Sequence, residues 1–211
     1  MAASGGMEVL HRAALRLQAR AKTPPGGSRR LPALIFMTDP ARVPDPEAIV
    51  RRLPAGSAVV FRTFGAPGSA ARGRRLAAIA RRRGLVMLVG TDPALARATG
   101  AAGVHLPERS GHLAGRIRRA RPGWIVTVAA HDGRAIRRAF AGGADAVLVS
   151  PVFESRSPSA GRPLGLTRFA ALVRAAGGPV YALGGVNGVT ARRLLGSGAV
   201  GIAAVETFLE R

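Results

Sequence analysis

Residues 179–205 contain two apolar stretches separated by a glycine pair and a short helical stretch, PVYALGGVNGVTARRLLGSGAVGIAAV. Apolar runs without polar alternation are typical of parallel strands that are covered on both faces. The segment therefore predicts a strand, a crossover helix and a second parallel strand. Gly184 and Gly185 let the backbone approach a ligand closely, and free N–H groups at two neighbouring strand ends can hold a phosphate. The pattern favours the phosphate-binding end of a (β/α) barrel.

The same strand and helix alternation runs through the chain from residue 31 onward, which indicates a parallel sheet with crossover helices. Predicted strands are residues 33–37, 58–62, 86–89, 103–106, 125–129, 146–150, 180–183 and 201–205. Predicted helices between them are residues 46–53, 70–83, 93–98, 113–120, 133–141, 166–176 and 189–196. Eight strands predict a closed (β/α)8 TIM-type barrel. A doubly wound open sheet is the alternative, but no GxGxxG motif follows the first strand.

The N-terminal residues 1–30 differ from the rest of the chain. Residues 9–22 have apolar side chains at helical spacing, and residues 23–30 are rich in proline, glycine and arginine. We expect an accessory helix that docks under the barrel, followed by a linker. The predicted organisation is thus residues 1–30 as helix and linker, and residues 31–211 as one barrel domain.

Composition limits the class of protein. A chain of 211 residues with 47% hydrophobic content suits one domain with one core. No apolar run reaches the 18 or so residues that span a bilayer, so we expect a soluble, cytoplasmic protein. The absence of cysteine excludes disulfides, thiolate catalysis and cysteine-ligated metals.

The net charge of +21, from 32 basic and 11 acidic residues, raises the question of nucleic-acid binding. The arginines fall mostly in predicted helices, on the solvated outer ring, and only 4% of residues are aromatic, so few side chains could stack on bases. We therefore favour a small-molecule ligand over RNA or DNA. Lys22 is the only lysine and precedes the first strand, which excludes a Schiff base on a barrel lysine.

Reactive groups in such a barrel lie at the C-terminal ends of the strands. His131 ends the fifth strand and is either an exposed turn residue, with Asp132 capping the next helix, or a general acid and base. His105 lies inside the fourth strand, where we expect a structural histidine in the barrel core. Arg62 ends an apolar strand and either binds an anion or forms an ion pair. The histidines show no metal-ligand spacing, so no metal site is predicted.

The connection formed by residues 151–165, PVFESRSPSAGRPLG, is long for a compact domain. Loops of this length are commonly binding loops or lids. Its serines, including Ser155 and Ser157, suit contacts with an anion, whereas a serine-rich linker without function is the alternative.

Several motifs together resemble the thiamine phosphate synthase and TenI superfamily, and the resemblance covers residues 34–208. They are, in chain order, LIFMTDP, Arg62, AAGVHLPE, AAHD, GADAVLVSPVFES followed by PLGL, PVYALGGV and GAVGIAAV. The resemblance implies a (β/α)8 barrel in thiamine metabolism that binds a thiazole phosphate or thiamine phosphate. It implies substrate contacts from Thr38, Arg62, Ser150, Ser155, Ser157, Gly184, Gly185, Ala204 and Val205.

Departures from the synthase pattern favour the TenI-like branch. The glutamine and lysine that flank the strand-two arginine in synthases are Val60 and Phe64 here, and their magnesium-binding Asn-Asp pair is Gly90-Thr91. Asp92 fits that pair only with a one-residue slip. A pyrophosphate leaving group needs a metal and cationic side chains to neutralise its charge.

TenI-like thiazole tautomerases need neither magnesium nor pyrophosphate, and their proton-transferring histidine aligns with His131. The resemblance thus implies a thiazole tautomerase without a cofactor, in which His131 moves the proton and Arg62 holds the substrate's carboxylate. A diverged synthase that uses Mg²⁺ and a non-catalytic thiamine-phosphate-binding protein are the alternatives. A homo-oligomer is left open. Glu206 stands where the family has serine, and beside a phosphate it would be repulsive unless it turned toward an arginine.

Overall fold

A computed structural model describes residues 3–21, 31–155, 157 and 161–208. Eight parallel strands pair in sequence order, and the first also pairs with the last, so the sheet closes into a barrel. The strands are β1 (Leu34–Met37), β2 (Ala58–Phe61), β3 (Val86–Gly90), β4 (Gly103–Leu106), β5 (Ile125–Ala130), β6 (Ala146–Val149), β7 (Val180–Ala182) and β8 (Gly201–Ala204). The predicted (β/α)8 TIM-type barrel is confirmed.

Helices alternate with the strands on the outside of the barrel. They are α1 (Ala3–Arg20), α2 (Pro46–Arg52), α3 (Ser69–Arg82), α4 (Pro93–Thr99), α5 (Ala114–Ala120), α6 (Gly133–Ala141), α7 (Gly165–Ala175) and α8 (Thr190–Arg193). Short 3-10 helices, Glu108–Leu113 and Glu206–Phe208, follow β4 and β8. None of the described helices is long and apolar enough to cross a membrane.

The predicted strands agree with the structure to within one residue at each end, whereas two helices differ more. The N-terminal helix begins at Ala3, six residues before its predicted start, and Met7 in the added stretch is buried. The helix predicted at 189–196 is only four residues long. The predicted linker at 23–30 lies outside the described residues.

Aspartates start three of the helices. Asp45, Asp92 and Asp132 each accept a hydrogen bond from the backbone N–H three residues later, which satisfies one of the free donors at a helix start. Pro46 and Pro93 follow two of these caps, at the first helical position where proline lacks only a free N–H. Asp132 is therefore the helix cap that the sequence predicted, and it holds the chain just after His131.

Strand side chains alternate between two apolar layers. Ile35 and Met37 of β1 point into the barrel interior with Tyr181 and Leu148, whereas Leu34 and Phe36 belong to the layer between strands and helices. Both faces of the sheet are thus buried, which explains the apolar strand sequences. The polar residues that remain at the strand ends form the site.

Helix α1 packs against the side of the barrel, contacting β1, β8 and α8, rather than beneath it as expected. Its buried face joins the outer apolar layer and consists of Met7, Leu10, Ala13, Ala14 and Leu17. Within the described residues β8 is followed only by the 3-10 helix Glu206–Phe208, so α1 covers the strands that a helix after β8 would cover.

Candidate active site at the barrel mouth

A cavity of about 610 Å³ opens at the C-terminal ends of the strands, a volume typical of small-molecule sites. Most of the predicted site residues line it together, although they come from five strand ends and the loop after β6. These are Arg62, His131, Ser150, Ser155, Ser157, Gly184, Gly185, Ala204 and Val205. Thr38 is the predicted site residue that does not line the cavity.

Gly184 and Gly185, after β7, have positive φ values of 88° and 65°, which favour glycine. A Cβ at Gly184 would lie 2.8 Å from the Cα of Pro151, and one at Gly185 would meet the carbonyl oxygen of Glu154. Close packing on the loop after β6 therefore requires both glycines, a constraint that the sequence analysis had assigned to ligand approach. Among the described residues their N–H groups have no hydrogen-bond partner, which leaves them available to an anion.

Thr38 holds Arg62 from the adjacent strand. The Thr38 hydroxyl accepts the backbone N–H of Arg62 at 2.9 Å, and the Thr38 carbonyl oxygen accepts Arg62 Nε at 2.6 Å. Thr38 is itself buried. Thr38 therefore positions Arg62, since its polar atoms already have partners within the barrel, and its contact with a substrate stays a prediction.

Asp39 joins two arginines at the end of β1. Its Oδ2 accepts Arg42 Nη2 at 2.8 Å and Arg42 Nε at 3.0 Å, and Arg62 Nη2 lies 3.4 Å from the same oxygen. Burial opposes ionisation of Asp39, but hydrogen bonding to Arg42 and the charges of Arg42 and Arg62 outweigh it and lower its pKa. Asp39 therefore stays ionised and fixes both guanidinium groups.

The guanidinium of Arg62 is mostly buried, with 21% of its side chain exposed. Burial lowers its pKa to about 10, the charge of Asp39 partly offsets this, and the nearby Arg42 lowers it further. Arg62 therefore remains a cation near neutral pH. Because burial strips it of water, an anionic ligand group beside it is favourable.

Arg42 and Glu206 both line the cavity and form an ion pair, with Arg42 Nη1 3.5 Å from Glu206 Oε1. Glu206 thus lies beside an arginine, as its position near a phosphate site requires. Arg42 was missed by the sequence analysis. The only signal for it was an aspartate three residues earlier, and its link to residue 206 depends on the closure of β1 against β8.

The His131 ring is held in one orientation by the carbonyl oxygen of Ser150. His131 Nδ1 lies 2.7 Å from that oxygen. A carbonyl can only accept, so Nδ1 carries a proton in this bond, and in the neutral ring Nε2 is an acceptor. The exposed ring lines the cavity, which is the arrangement that a general base requires.

His105 lies at the base of the cavity and is buried, with Nδ1 2.9 Å from the Thr127 hydroxyl. Burial, with a smaller contribution from the charge of Arg62, lowers its pKa to about 4. The ring is therefore neutral near pH 7. The expected structural histidine is confirmed as a hydrogen-bonded core residue, although one edge of it reaches the cavity.

Phe64 and Thr91 are two lining residues with positive φ, 48° and 64° respectively. This conformation is unfavourable for an aromatic or a β-branched residue, and such strain concentrates at functional sites. The Phe64 side chain is 71% exposed, and its ring centroid lies 5.2 Å from Arg62 Cζ. The sequence at these strand ends does not predict the positive φ values of Phe64 and Thr91.

The described residues hold no preformed cluster of metal ligands. They contain no group of three or more potential ligands among histidine and the carboxylates. Asp92, the best sequence candidate, accepts the N–H of Leu95 as a helix cap and does not line the cavity. The lining carboxylates include Glu206, which is paired with Arg42.

Comparison with known proteins identifies relatives of this chain. A protein from Aquifex aeolicus named putative thiamine-phosphate synthase 2 is 32% identical over 137 residues, which are 65% of this chain and 73% of that protein. The thiamine-phosphate synthase of Methylococcus capsulatus is 34% identical over 160 residues, 72% of this chain and 69% of that protein. A solved thiamine phosphate pyrophosphorylase from Pyrococcus furiosus has a TM-score of 0.70 and 25% identity, covering 82% of this chain and 84% of that one.

These relatives carry the name of the synthase and not that of a tautomerase. Their names support the synthase alternative better than the tautomerase interpretation. The family described as thiamine monophosphate synthase (TMP-TENI) matches residues 34–208, which is most of the barrel. The chain belongs to the thiamine monophosphate synthase and TenI family.

Proposed function

We propose that the barrel mouth binds a thiazole phosphate and that His131 catalyses its tautomerisation. The observation that carries the reaction is the hydrogen bond from His131 Nδ1 to the Ser150 carbonyl, which leaves Nε2 as a base in the cavity. Family membership supports the substrate class, because the family and the relatives are named for thiamine phosphate synthesis.

Two sets of cavity-lining donors suit the two anionic groups of a thiazole carboxylate phosphate. Free N–H groups at Gly184 and Gly185 provide backbone donors for the phosphate. Arg62 is fixed by Thr38 and Asp39 and provides a guanidinium for the carboxylate. His131 lies on the same cavity, so a bound ring can reach Nε2.

In the proposed reaction Nε2 takes a proton from one carbon of the non-aromatic tautomer. The bonding electrons shift into the ring, and the protonated histidine returns a proton at another carbon. No atom or electron is gained or lost, so the reaction needs no co-reactant. The Ser150 carbonyl keeps accepting from Nδ1 and stabilises the imidazolium that forms transiently.

The second candidate is the synthase reaction, which joins a thiazole phosphate to a pyrimidine pyrophosphate. The names of the relatives support the synthase reaction better than they support the tautomerase reaction. Arg42 and Arg62 could neutralise part of a pyrophosphate. Asp92, which fits the magnesium-binding position of synthases only with a one-residue slip, caps α4 and does not line the cavity.

Two assays on the purified chain separate the candidates. In the first, the carboxylate tautomer is supplied and aromatisation is followed, with His131→Ala as the test variant and His112→Ala, an exposed histidine outside the cavity, as the control. Loss of general acid and base catalysis should slow turnover by about 10² to 10⁴-fold in His131→Ala alone. Unchanged turnover in that variant would refute the role of His131.

In the second assay, thiazole phosphate and pyrimidine pyrophosphate are mixed with the chain and magnesium. Formation of thiamine phosphate would establish the synthase reaction instead. Thermal stabilisation by thiamine phosphates without turnover in either assay would identify a non-catalytic binding protein.

A further inference from the structure

Four charged side chains form a continuous chain of ion pairs along one side of the cavity. They run in the order Glu206, Arg42, Asp39 and Arg62, with N–O distances of 3.5, 2.8 and 3.4 Å. Three of them, Arg42, Arg62 and Glu206, line the cavity, and Arg42 and Glu206 meet just after β8, beside the end of β7. This is the end at which the glycine N–H groups lie.

The two contacts of Arg42 differ in strength. Toward Asp39 its Nε and Nη2 both lie within 3.0 Å of one carboxylate oxygen, and its backbone N–H also donates to Asp39. Toward Glu206 the distance from Nη1 is 3.5 Å, which is longer than the 2.7–2.9 Å or so of a good charge-assisted hydrogen bond. Asp39 therefore holds Arg42 firmly, whereas the ion pair between Arg42 and Glu206 is weaker.

We propose that Arg42 is a side-chain ligand of the substrate's phosphate and that this phosphate displaces Glu206 from Arg42. The inference rests on the proposed binding of a thiazole phosphate. Arg42 Nη1 contacts Glu206 just after β8, and β8 pairs with β7, after which Gly184 and Gly185 lie, so we infer that one phosphate contacts the backbone donors and the guanidinium together.

Electrostatics supports displacement of Glu206. A phosphate dianion and a carboxylate repel each other, and one guanidinium cannot neutralise both at short range. Because Asp39 keeps Arg42 in place, Arg42 does not need to move when phosphate replaces Glu206 beside it. Glu206 thereby lowers the affinity for phosphate and disfavours weaker anions, which cannot compete with it for Arg42.

The test compares two ligands, a thiazole phosphate and the same thiazole with a free hydroxyl, by calorimetric titration of the full chain. Arg42→Ala should weaken the phosphate form by about tenfold or more and leave the alcohol unchanged, since only the phosphate loses a charged partner. Arg42→Lys, which keeps the charge without the planar group, should fall in between. Glu206→Gln should tighten binding of the phosphate form several-fold.

Control variants remove the same charges elsewhere. Arg51→Ala on the exposed face of α2 and Glu8→Gln on α1 change the net charge equally and should leave both affinities unchanged. Thermal unfolding of each variant confirms that it is folded.

Three outcomes would overturn the inference. If Glu206→Gln weakens or does not change phosphate binding, displacement is wrong. If Arg42→Ala weakens both ligands equally, or neither, Arg42 does not contact the phosphate. With either of these two results, the proposed function stands if the unaltered chain still binds the thiazole phosphate. If the unaltered chain binds neither ligand, the proposed function fails as well.

Discussion

The backbone N–H of Arg62 donates to the hydroxyl of Thr38 at 2.9 Å, and Arg62 Nε donates to the Thr38 carbonyl at 2.6 Å. One residue at the end of β1 thus fixes both the backbone and the side chain of the residue after β2. The cation at the cavity is therefore positioned by the sheet rather than by a loop, which keeps its guanidinium in place before any ligand binds.

Thr38→Val should destabilise the barrel. The substitution keeps the shape of the side chain but removes the acceptor for the N–H of Arg62, leaving that donor unpaired. We expect a loss of about 1–3 kcal/mol in the free energy of unfolding, measured by urea denaturation. Thr38→Ser keeps the hydroxyl and should cost less. An unchanged free energy of unfolding in Thr38→Val would show that the hydrogen bond from Arg62 N–H to the Thr38 hydroxyl does not contribute to stability.

The free energy of unfolding should decrease as the pH is lowered, because His105 is buried in its neutral form. Its pKa is about 4 in the folded chain and near 6.5 when exposed, so below pH 6.5 the unfolded chain binds a proton that the folded chain refuses. The contribution of neutral His105 is complete above pH 6.5 and declines toward pH 4. The total loss is about 3 kcal/mol, since one pKa unit corresponds to about 1.4 kcal/mol.

Urea denaturation at several pH values between 7.5 and 4.5 measures this loss. His11 contributes in the same direction, because burial also lowers its pKa. His105→Gln isolates the effect, since it removes the titrating ring and keeps a polar group near Thr127. The pH dependence should become clearly flatter in this variant, and an unchanged slope would assign it to other groups.

Helix α1 should be part of the cooperative core. Leu10 is fully buried in the outer apolar layer, whereas Leu15 on the same helix is 45% exposed. Leu10→Ala should cost about 2–5 kcal/mol of unfolding free energy, because it removes buried surface and leaves a cavity. Leu15→Ala has the same chemistry and should change stability by less than about 1 kcal/mol. Similar small effects at both positions would indicate that α1 unfolds separately from the barrel.

The strands were predictable because both faces of the sheet are buried. Every strand position then favours an apolar residue, and runs such as 58–61 stand out from their arginine-rich surroundings. The start of α1 was not predictable from local preference. Gly5 and Gly6 disfavour a helix, but Met7, which follows them, is buried in the outer apolar layer and favours it.

The site was predictable where a residue simply ends a strand, as Arg62 and His131 do. It was not predictable where roles depend on pairs that are distant in the sequence. Arg42 meets Glu206 only because β1 closes against β8. Thr38 has the sequence position of a ligand residue, but its hydroxyl faces the neighbouring strand, and no local pattern distinguishes these two cases.

Gly185→Ala should disrupt the cavity end that carries the glycine pair. The new Cβ would meet the carbonyl oxygen of Glu154, and φ is 65° there, so steric overlap adds to backbone strain. Gly196→Ala is a matched control, because φ is 93° but nothing lies within 4 Å of a Cβ at that position. We expect about 1–2 kcal/mol of destabilisation at Gly196 from backbone strain alone, and more than about 3 kcal/mol at Gly185.

Ligand binding separates the two glycine variants further. Overlap at Gly185 can be relieved only by shifting the loop after β6 or the N–H groups after β7, and both line the cavity. Affinity for thiazole phosphate, measured by titration calorimetry, should therefore fall in Gly185→Ala and stay unchanged in Gly196→Ala. Full affinity in a folded Gly185→Ala variant would mean that the phosphate is held elsewhere on the barrel mouth.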